Sequence, residues 1–145
     1  MFEIEKINQL IMRITAIMNY AKDIHYTVHG EAFFGKHLFA DRIDGDNDEY
    51  IDLLKEVCVL GRGYQTLPSE EYLKGAIEFL PEVEEDDKKN FENIKGLIKE
   101  TLVHIEQLDG LTRGDENLIG NVAQDLQQNL GLLNLQVDDI YDQID

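Results

Sequence analysis

The chain has 145 residues, of which 43% are hydrophobic and 30% charged, and this balance is typical of one folded domain, not of a disordered chain. Acidic residues outnumber basic residues by 30 to 13, and the resulting charge of -17 argues against non-specific binding to nucleic acid or anionic lipid. The single cysteine, Cys58, excludes an internal disulfide. With no recognisable signal peptide or membrane-spanning run, we expect residues 1–145 to form a single cytoplasmic domain without a membrane partner.

The proline-free stretches on either side of Pro68 and Pro81 favour long helices. The first predicted helix covers residues 2–27, where apolar residues recur at steps of three and four. His25 lies on this apolar stripe, near the end of the helix. After a short turn, a second helix is predicted over residues 32–60. The apolar side of this helix is predicted to carry Phe39, Ile43, Tyr50, Leu54 and Val57. Its polar side carries His37, Asp41, Asp48, Asp52 and Glu56.

The second half of the chain predicts two more long helices. Residues 61–84 form a connection in which Ser69 is expected to cap a short helix that ends near Pro81. The third long helix begins near Glu84, and the fourth follows a turn near Gly114. The pattern therefore predicts an all-α, four-helix bundle with a short extra helix in its long connection. That connection is long enough to let the second and third long helices run in the same direction, as in ferritin-like folds.

Two pairs of possible metal ligands lie on the second predicted helix, His37 with Asp41 and Asp52 with Glu56. Residues four apart share a helix face, so each pair can offer two ligands to one ion. Imidazole mixed with carboxylate suits iron, manganese or zinc. The competing interpretation is structural, because polar stripes on long helices are usually solvated, and a histidine on an apolar stripe, such as His25, is usually a core residue.

The two pairs are too far apart to bind one ion from a single helix. Asp41 and Asp52 are 11 residues apart, or roughly 16 Å along a straight helix, whereas a metal–ligand bond is about 2 Å long. Either the chain has two weak sites, or a second chain completes one site. In a two-fold dimer with antiparallel second helices, His37 and Asp41 of one chain would face Asp52 and Glu56 of the other.

The segment from His25 to His37 resembles the signature of the miniferritins, the DNA-binding proteins from starved cells (Dps). The similarity lies in two histidines 12 residues apart, with an aromatic residue after the first and a glycine and a phenylalanine between them, and it extends over about residues 10–135. The resemblance implies five iron ligands between subunits, with His25, His37 and Asp41 from one chain and Asp52 and Glu56 from its partner.

The resemblance also implies an assembly and a reaction. Members of the family form hollow homo-oligomeric shells, here expected to be a dodecamer, that oxidise ferrous iron with a preference for hydrogen peroxide over dioxygen. The ferric product is stored as mineral inside the shell. By resemblance, this chain is an iron-storage ferroxidase without haem that protects against oxidative damage. The alternative is a non-catalytic ferritin-like bundle that acts as a structural or binding module.

Three features depart from the family's pattern. The aromatic residue after His25 is Tyr26, where tryptophan is usual. The second helix contains Gly45 in an acidic run, and glycine in a helix costs about 1 kcal/mol relative to alanine, so a kink there could misplace Asp52 and Glu56. The N-terminus lacks a lysine-rich arm, so DNA binding is not expected.

Four further residues have open interpretations. Asp115 and Glu116 are candidates for an iron pore, although acids at the start of a helix also favour the helix dipole. His29, in the predicted turn, is either a surface residue or an auxiliary ligand. Cys58 is expected to be a small buried residue of the second helix.

Overall fold

A computed structural model describes residues 1–137, and within this range the chain forms five α-helices and no strand. The expectation of an all-α chain is confirmed. None of the helices in this range is both long and apolar enough to cross a bilayer. The helices are α1 (Ile4–Thr27), α2 (Phe33–Leu54), α3 (Ser69–Phe79), α4 (Asp87–Glu106) and α5 (Arg113–Val137).

Four of the helices surround one hydrophobic core. α1 packs against α2 and α4, and α5 packs against the same two helices, whereas the short α3 lies against α1. The stripe predicted for the first helix is buried, with Ile7, Ile11 and Ile14 inaccessible to solvent. Ile140 and Ile144, which the sequence places on the apolar face of the last helix, lie outside the described residues.

Contacts between helix ends show the relative directions of α1, α2 and α5. His25 near the end of α1 stacks on His37 near the start of α2, so α2 returns antiparallel to α1. Arg62, which follows α2, forms an ion pair with Asp115 at the start of α5. α5 therefore runs antiparallel to α2 and in the same direction as α1.

α4 runs in the same direction as α2. At its start, Asp87 accepts a hydrogen bond from the backbone N–H of His29, in the turn between α1 and α2. Near its other end, Nε2 of His104 donates to the carbonyl oxygen of Lys6, at the start of α1. The connection over residues 63–86 therefore crosses from one end of the bundle to the other and carries α3 on the way.

Gly45 does not break the second helix: α2 is helical throughout Phe33–Leu54. Near the glycine, Ile43 is buried in the core, and the buried side chain of Asn47 donates a hydrogen bond to the Ile43 carbonyl oxygen. This packing outweighs the low helix propensity of the acidic run. The irregularity comes later, in a π-helical turn at Lys55–Val59.

The π-helical turn changes which side chains of this segment face the core. A π turn has more residues than an α turn, so the residues beyond it are rotated relative to the α-helical pattern. Val57, expected on the apolar side, is exposed, whereas Cys58 and Val59 are fully buried. The prediction for Val57 is therefore wrong, and that for Cys58 is confirmed.

Two predicted helix starts also need correction. The N-cap of α3 is Pro68, so Ser69 is its first helical residue and does not cap it. α4 begins at Asp87, later than expected, and the side chain of Asp86 caps it by accepting a hydrogen bond from the backbone N–H of Lys88.

Candidate metal site

The rings of His25 and His37 form the centre of the candidate site. They stack with their centroids 3.6 Å apart and their planes inclined by 25°. Nδ1 of His25 lies 3.1 Å from the carbonyl oxygen of His37, and Nδ1 of His37 lies 2.8 Å from that of His25. Each ring is therefore held by the other residue's backbone.

The turn between the two helices makes this exchange possible. α1 ends at Thr27, so the carbonyl oxygen of His25 belongs to the last helical turn, where carbonyl groups lack intrahelical partners. The chain then reverses through Gly30 and Ala32, which have left-handed φ values of 74° and 57°. This tight reversal brings the first turn of α2 beside the last turn of α1.

The two hydrogen bonds determine where the ring protons lie. A carbonyl oxygen can only accept, so Nδ1 of each histidine carries a hydrogen and donates it. In a neutral imidazole the lone pair is then on Nε2, which is the form that binds a metal ion. Metal-binding histidines commonly have their second nitrogen held by a backbone carbonyl in this way. His25 and His37 thus present two metal-binding nitrogens from adjacent helices.

The three predicted carboxylate ligands are all exposed on the second helix or just beyond it. Asp41 lies one turn after His37, Asp52 lies about three turns further along α2, and Glu56 lies in the π-helical turn. Among residues 1–137, no group of three or more histidine, cysteine or acidic side chains of one chain is arranged to hold a metal ion. One chain therefore brings the two histidines together, but it does not group Asp41, Asp52 or Glu56 with them.

Exposed apolar side chains surround the histidine pair. Phe33 stacks on His37 with a centroid distance of 5.3 Å, and Tyr26 meets His25 edge-on at 5.0 Å. The exposed fractions of Tyr26, Phe34 and Leu38 are 80%, 70% and 55%. Contiguous apolar surface of this kind is typical of a face that another molecule covers.

Asp44 is a neighbour of the site that the sequence analysis did not single out. It lies seven residues after His37, on the same face of α2, and its carboxylate is 3.9 Å from Nζ of Lys22 on α1. Burial raises the pKa of Asp44, and the positive charge of Lys22 opposes this rise. The seven-residue spacing was the sequence signal that could have identified it.

Of the two open interpretations of Asp115, the structure favours the acid at the start of a helix over the pore residue. The residue is 1% exposed, its carboxylate forms an ion pair with Arg62 at 2.6 Å, and it accepts a hydrogen bond from the backbone N–H of Thr112. The nearby Cys58 thiol has its pKa raised to about 12, mainly by burial and to a smaller extent by the negative charge of Asp115. Glu116, by contrast, is exposed.

No model of a known protein family matches the chain, and a search of curated proteins finds no significant match.

Proposed function

We propose that this chain is a miniferritin, a ferroxidase that oxidises ferrous iron with hydrogen peroxide at sites shared between two copies and stores the ferric product inside a closed shell. The observation that carries the proposal is the arrangement of His25 and His37, whose Nδ1 atoms are bound by backbone carbonyls so that both Nε2 atoms remain for metal. The helix directions, with one long crossing connection, are those of ferritin-like bundles and support the same conclusion.

The donor atoms of one chain fit half of a site. By their chemistry, two imidazole nitrogens and the carboxylate of Asp41 suit ferrous iron, although the described chain does not arrange any three such groups around one point. Asp52 and Glu56 are too distant to join the histidines within the chain. A second copy related by a two-fold axis would supply its own Asp52 and Glu56 and would generate two identical sites. The exposed apolar side chains around the histidines support such a contact.

Ferrous ions are the substrate of the proposed reaction. Each of two ferrous ions gives up one electron, and the two electrons with two protons cleave the O–O bond of one peroxide to give two waters. The protein's part is to hold the ions near the oxidant and to stabilise the growing positive charge with carboxylate oxygens. Because both electrons go to one peroxide, release of hydroxyl radicals is limited. The charge of -17 also attracts cations to the surface.

Rates of ferrous oxidation by peroxide test the proposal on three variants of the full chain. His37→Ala and Glu56→Ala should each slow the reaction by more than roughly ten-fold, since each removes one ligand of the shared site. Glu49→Gln is the matched control, because it removes an exposed carboxylate of α2 outside the ligand set and should leave the rate unchanged. Wild-type rates in both ligand variants would show that the ligands are wrongly assigned.

A further inference from the structure

Asp87, the first residue of α4, joins that helix to the turn between α1 and α2. Its side chain is 9% exposed. Oδ2 accepts hydrogen bonds from the backbone N–H of His29 and from Nζ of Lys36, both at 3.0 Å. Nζ of Lys36 also donates to the carbonyl oxygen of His29 at 3.3 Å. The three residues therefore close a ring of hydrogen bonds around the turn.

The carboxylate of Asp87 is charged in the folded protein. Burial by itself would raise its pKa, but the hydrogen bond from the His29 amide and the ammonium of Lys36 outweigh burial and lower the pKa of Asp87. The N-terminus of α4 also favours a negative charge at this position. Through the carboxylate of Asp87, α4 thus forms an ionic contact with Lys36 beside the turn.

The contacts to His29 and Lys36 use only one of the two carboxylate oxygens of Asp87. The second oxygen of Asp87, Oδ1, is buried and has no hydrogen-bond partner. Nδ1 of His29 lies 3.3 Å from it but donates to the Thr27 carbonyl oxygen at 3.1 Å. A buried acceptor without a partner costs free energy, which the contacts of Oδ2 offset.

The turn that Asp87 holds has the candidate histidines at its two ends. Lys36 directly precedes His37, and His29 follows His25 by about one helical turn. Each imidazole is bound by the backbone of the other segment, so the spacing of the rings depends on the spacing of the two backbones. Asp87 constrains this spacing from a third helix, through its contacts to His29 and Lys36.

We propose that Asp87 is a positioning residue for the metal site, and that its contacts to His29 and Lys36 set the separation of the two metal-binding imidazoles. This inference rests on the proposed function and adds to it a residue outside the ligand set. Asp87 is not recognisable in the sequence, because an acidic residue at the start of a helix is common and its partners are at least 51 residues away.

Titration with cobalt(II) tests the inference, since this ion is not oxidised in the assay and its visible absorption reports the coordination geometry. Asp87→Asn keeps an acceptor for the His29 amide but loses the charge that holds Lys36. It should weaken cobalt binding by roughly ten-fold, in the range seen when residues that orient metal ligands are replaced, and should shift the visible band. Lys36→Met should have the same effect.

The matched control is Asp86→Asn at the adjacent position. It removes the same charge from the same helix end, but asparagine caps a helix about as well as aspartate, and Asp86 makes its hydrogen bond to Lys88 and not to the turn. The control should bind cobalt with an affinity within about two-fold of that of wild type, and its visible absorption band should be the same.

The outcomes separate this inference from the proposed function. If Asp87→Asn and Lys36→Met both bind cobalt with the wild-type affinity and band, Asp87 does not position the site, and only this inference is overturned. If wild-type protein binds no cobalt, or if His37→Ala binds it as wild type does, the metal site itself is wrong and both fail. Should Asp87→Asn not fold, Lys36→Met decides the question alone.

Discussion

At the scale of single residues, buried polar side chains link the helices in pairs. Tyr20 of α1 donates to Asn90 of α4 at 2.9 Å, and Tyr72 of α3 donates to Asn8 of α1 at 2.8 Å. His104 makes the corresponding link from α4 to the first turn of α1. Because an unpaired buried polar group costs free energy, such bonds favour one register between neighbouring helices over others.

His104 should make folding stability depend on pH. Burial lowers its pKa below the usual value of 6.5, and the charges of Arg13 and Lys6 lower it further. Below that value the unfolded chain takes up a proton at His104 that the folded chain does not, so acid favours unfolding through this residue. His104→Gln keeps a side-chain donor for the Lys6 carbonyl but does not titrate.

Urea unfolding of wild type and His104→Gln at about pH 7.5 and about pH 5.5 measures this effect. The unfolding free energy of wild type should fall relative to that of the variant as the pH decreases, because titration of the other groups is common to both proteins. A difference that stays constant between the two pH values would contradict the assignment.

Cys58 should resist alkylation in the folded protein. The residue is fully buried and its pKa is raised to about 12, so almost no thiolate exists at about pH 8. We expect iodoacetamide to modify Cys58 only as urea unfolds the chain, with labelling and unfolding following the same curve. Labelling of the native protein at the rate of a free thiol would show that this segment opens without global unfolding.

At the scale of helices, α2 shows how packing overrides local preference. Its glycine and aspartates favour a break, but Ile43 and Asn47 are buried on either side of Gly45 and the helix continues. The backbone at Gly45 is exposed, and a Cβ added there would meet no atom within 4 Å. The glycine is therefore not required by the fold.

Gly45→Ala should raise the unfolding free energy by about 1 kcal/mol, because alanine has the higher helix propensity and nothing obstructs its methyl group. Urea unfolding at constant pH measures the change. Gly75→Ala on α3 is the contrasting variant, since its Cβ would overlap the side chain of Met12. It should be at least about 1 kcal/mol less stable than Gly45→Ala. Equal increases in the unfolding free energy of both variants would contradict the packing described for α3 against α1.

At the scale of the whole molecule, the proposed function requires copies of the chain to associate. We expect light scattering with size-exclusion chromatography to give a particle of twelve 16.7 kDa chains. Leu38→Glu places a charge beside His37 on an exposed position and should break the assembly and abolish ferrous oxidation without unfolding the chain. A wild-type monomer would contradict the shell and favour the alternative of a non-catalytic bundle that binds a partner.

Val103→Glu is the control for the association experiment. Val103 is also exposed, on α4, but it lies at the opposite end of the bundle from the histidine pair, beside His104 and the first turn of α1. This variant should keep the oxidation rate of wild type. Equal losses in both variants would mean that added charge disturbs the protein generally, and that the surface around Leu38 has no special role.

The sequence by itself determined the helices and their order. Apolar residues at steps of three and four are local information, and so are the prolines that bound α3, which explains why these elements were predicted within a few residues of their ends. The same local spacing identified His37 with Asp41 and showed that Asp52 and Glu56 lie too far along the helix to join them in one chain.

Only the tertiary structure decided which residues are linked across helices. The exchange of hydrogen bonds between His25 and His37, and the contact of Asp87 with the α1–α2 turn, depend on helices that meet in space but are distant in sequence. The unbroken path through Gly45 and the π-helical turn at Lys55–Val59 likewise depend on what the helix packs against. The physical reason is that burial and polar pairing are properties of the assembled core, whereas helix periodicity is a property of the chain alone.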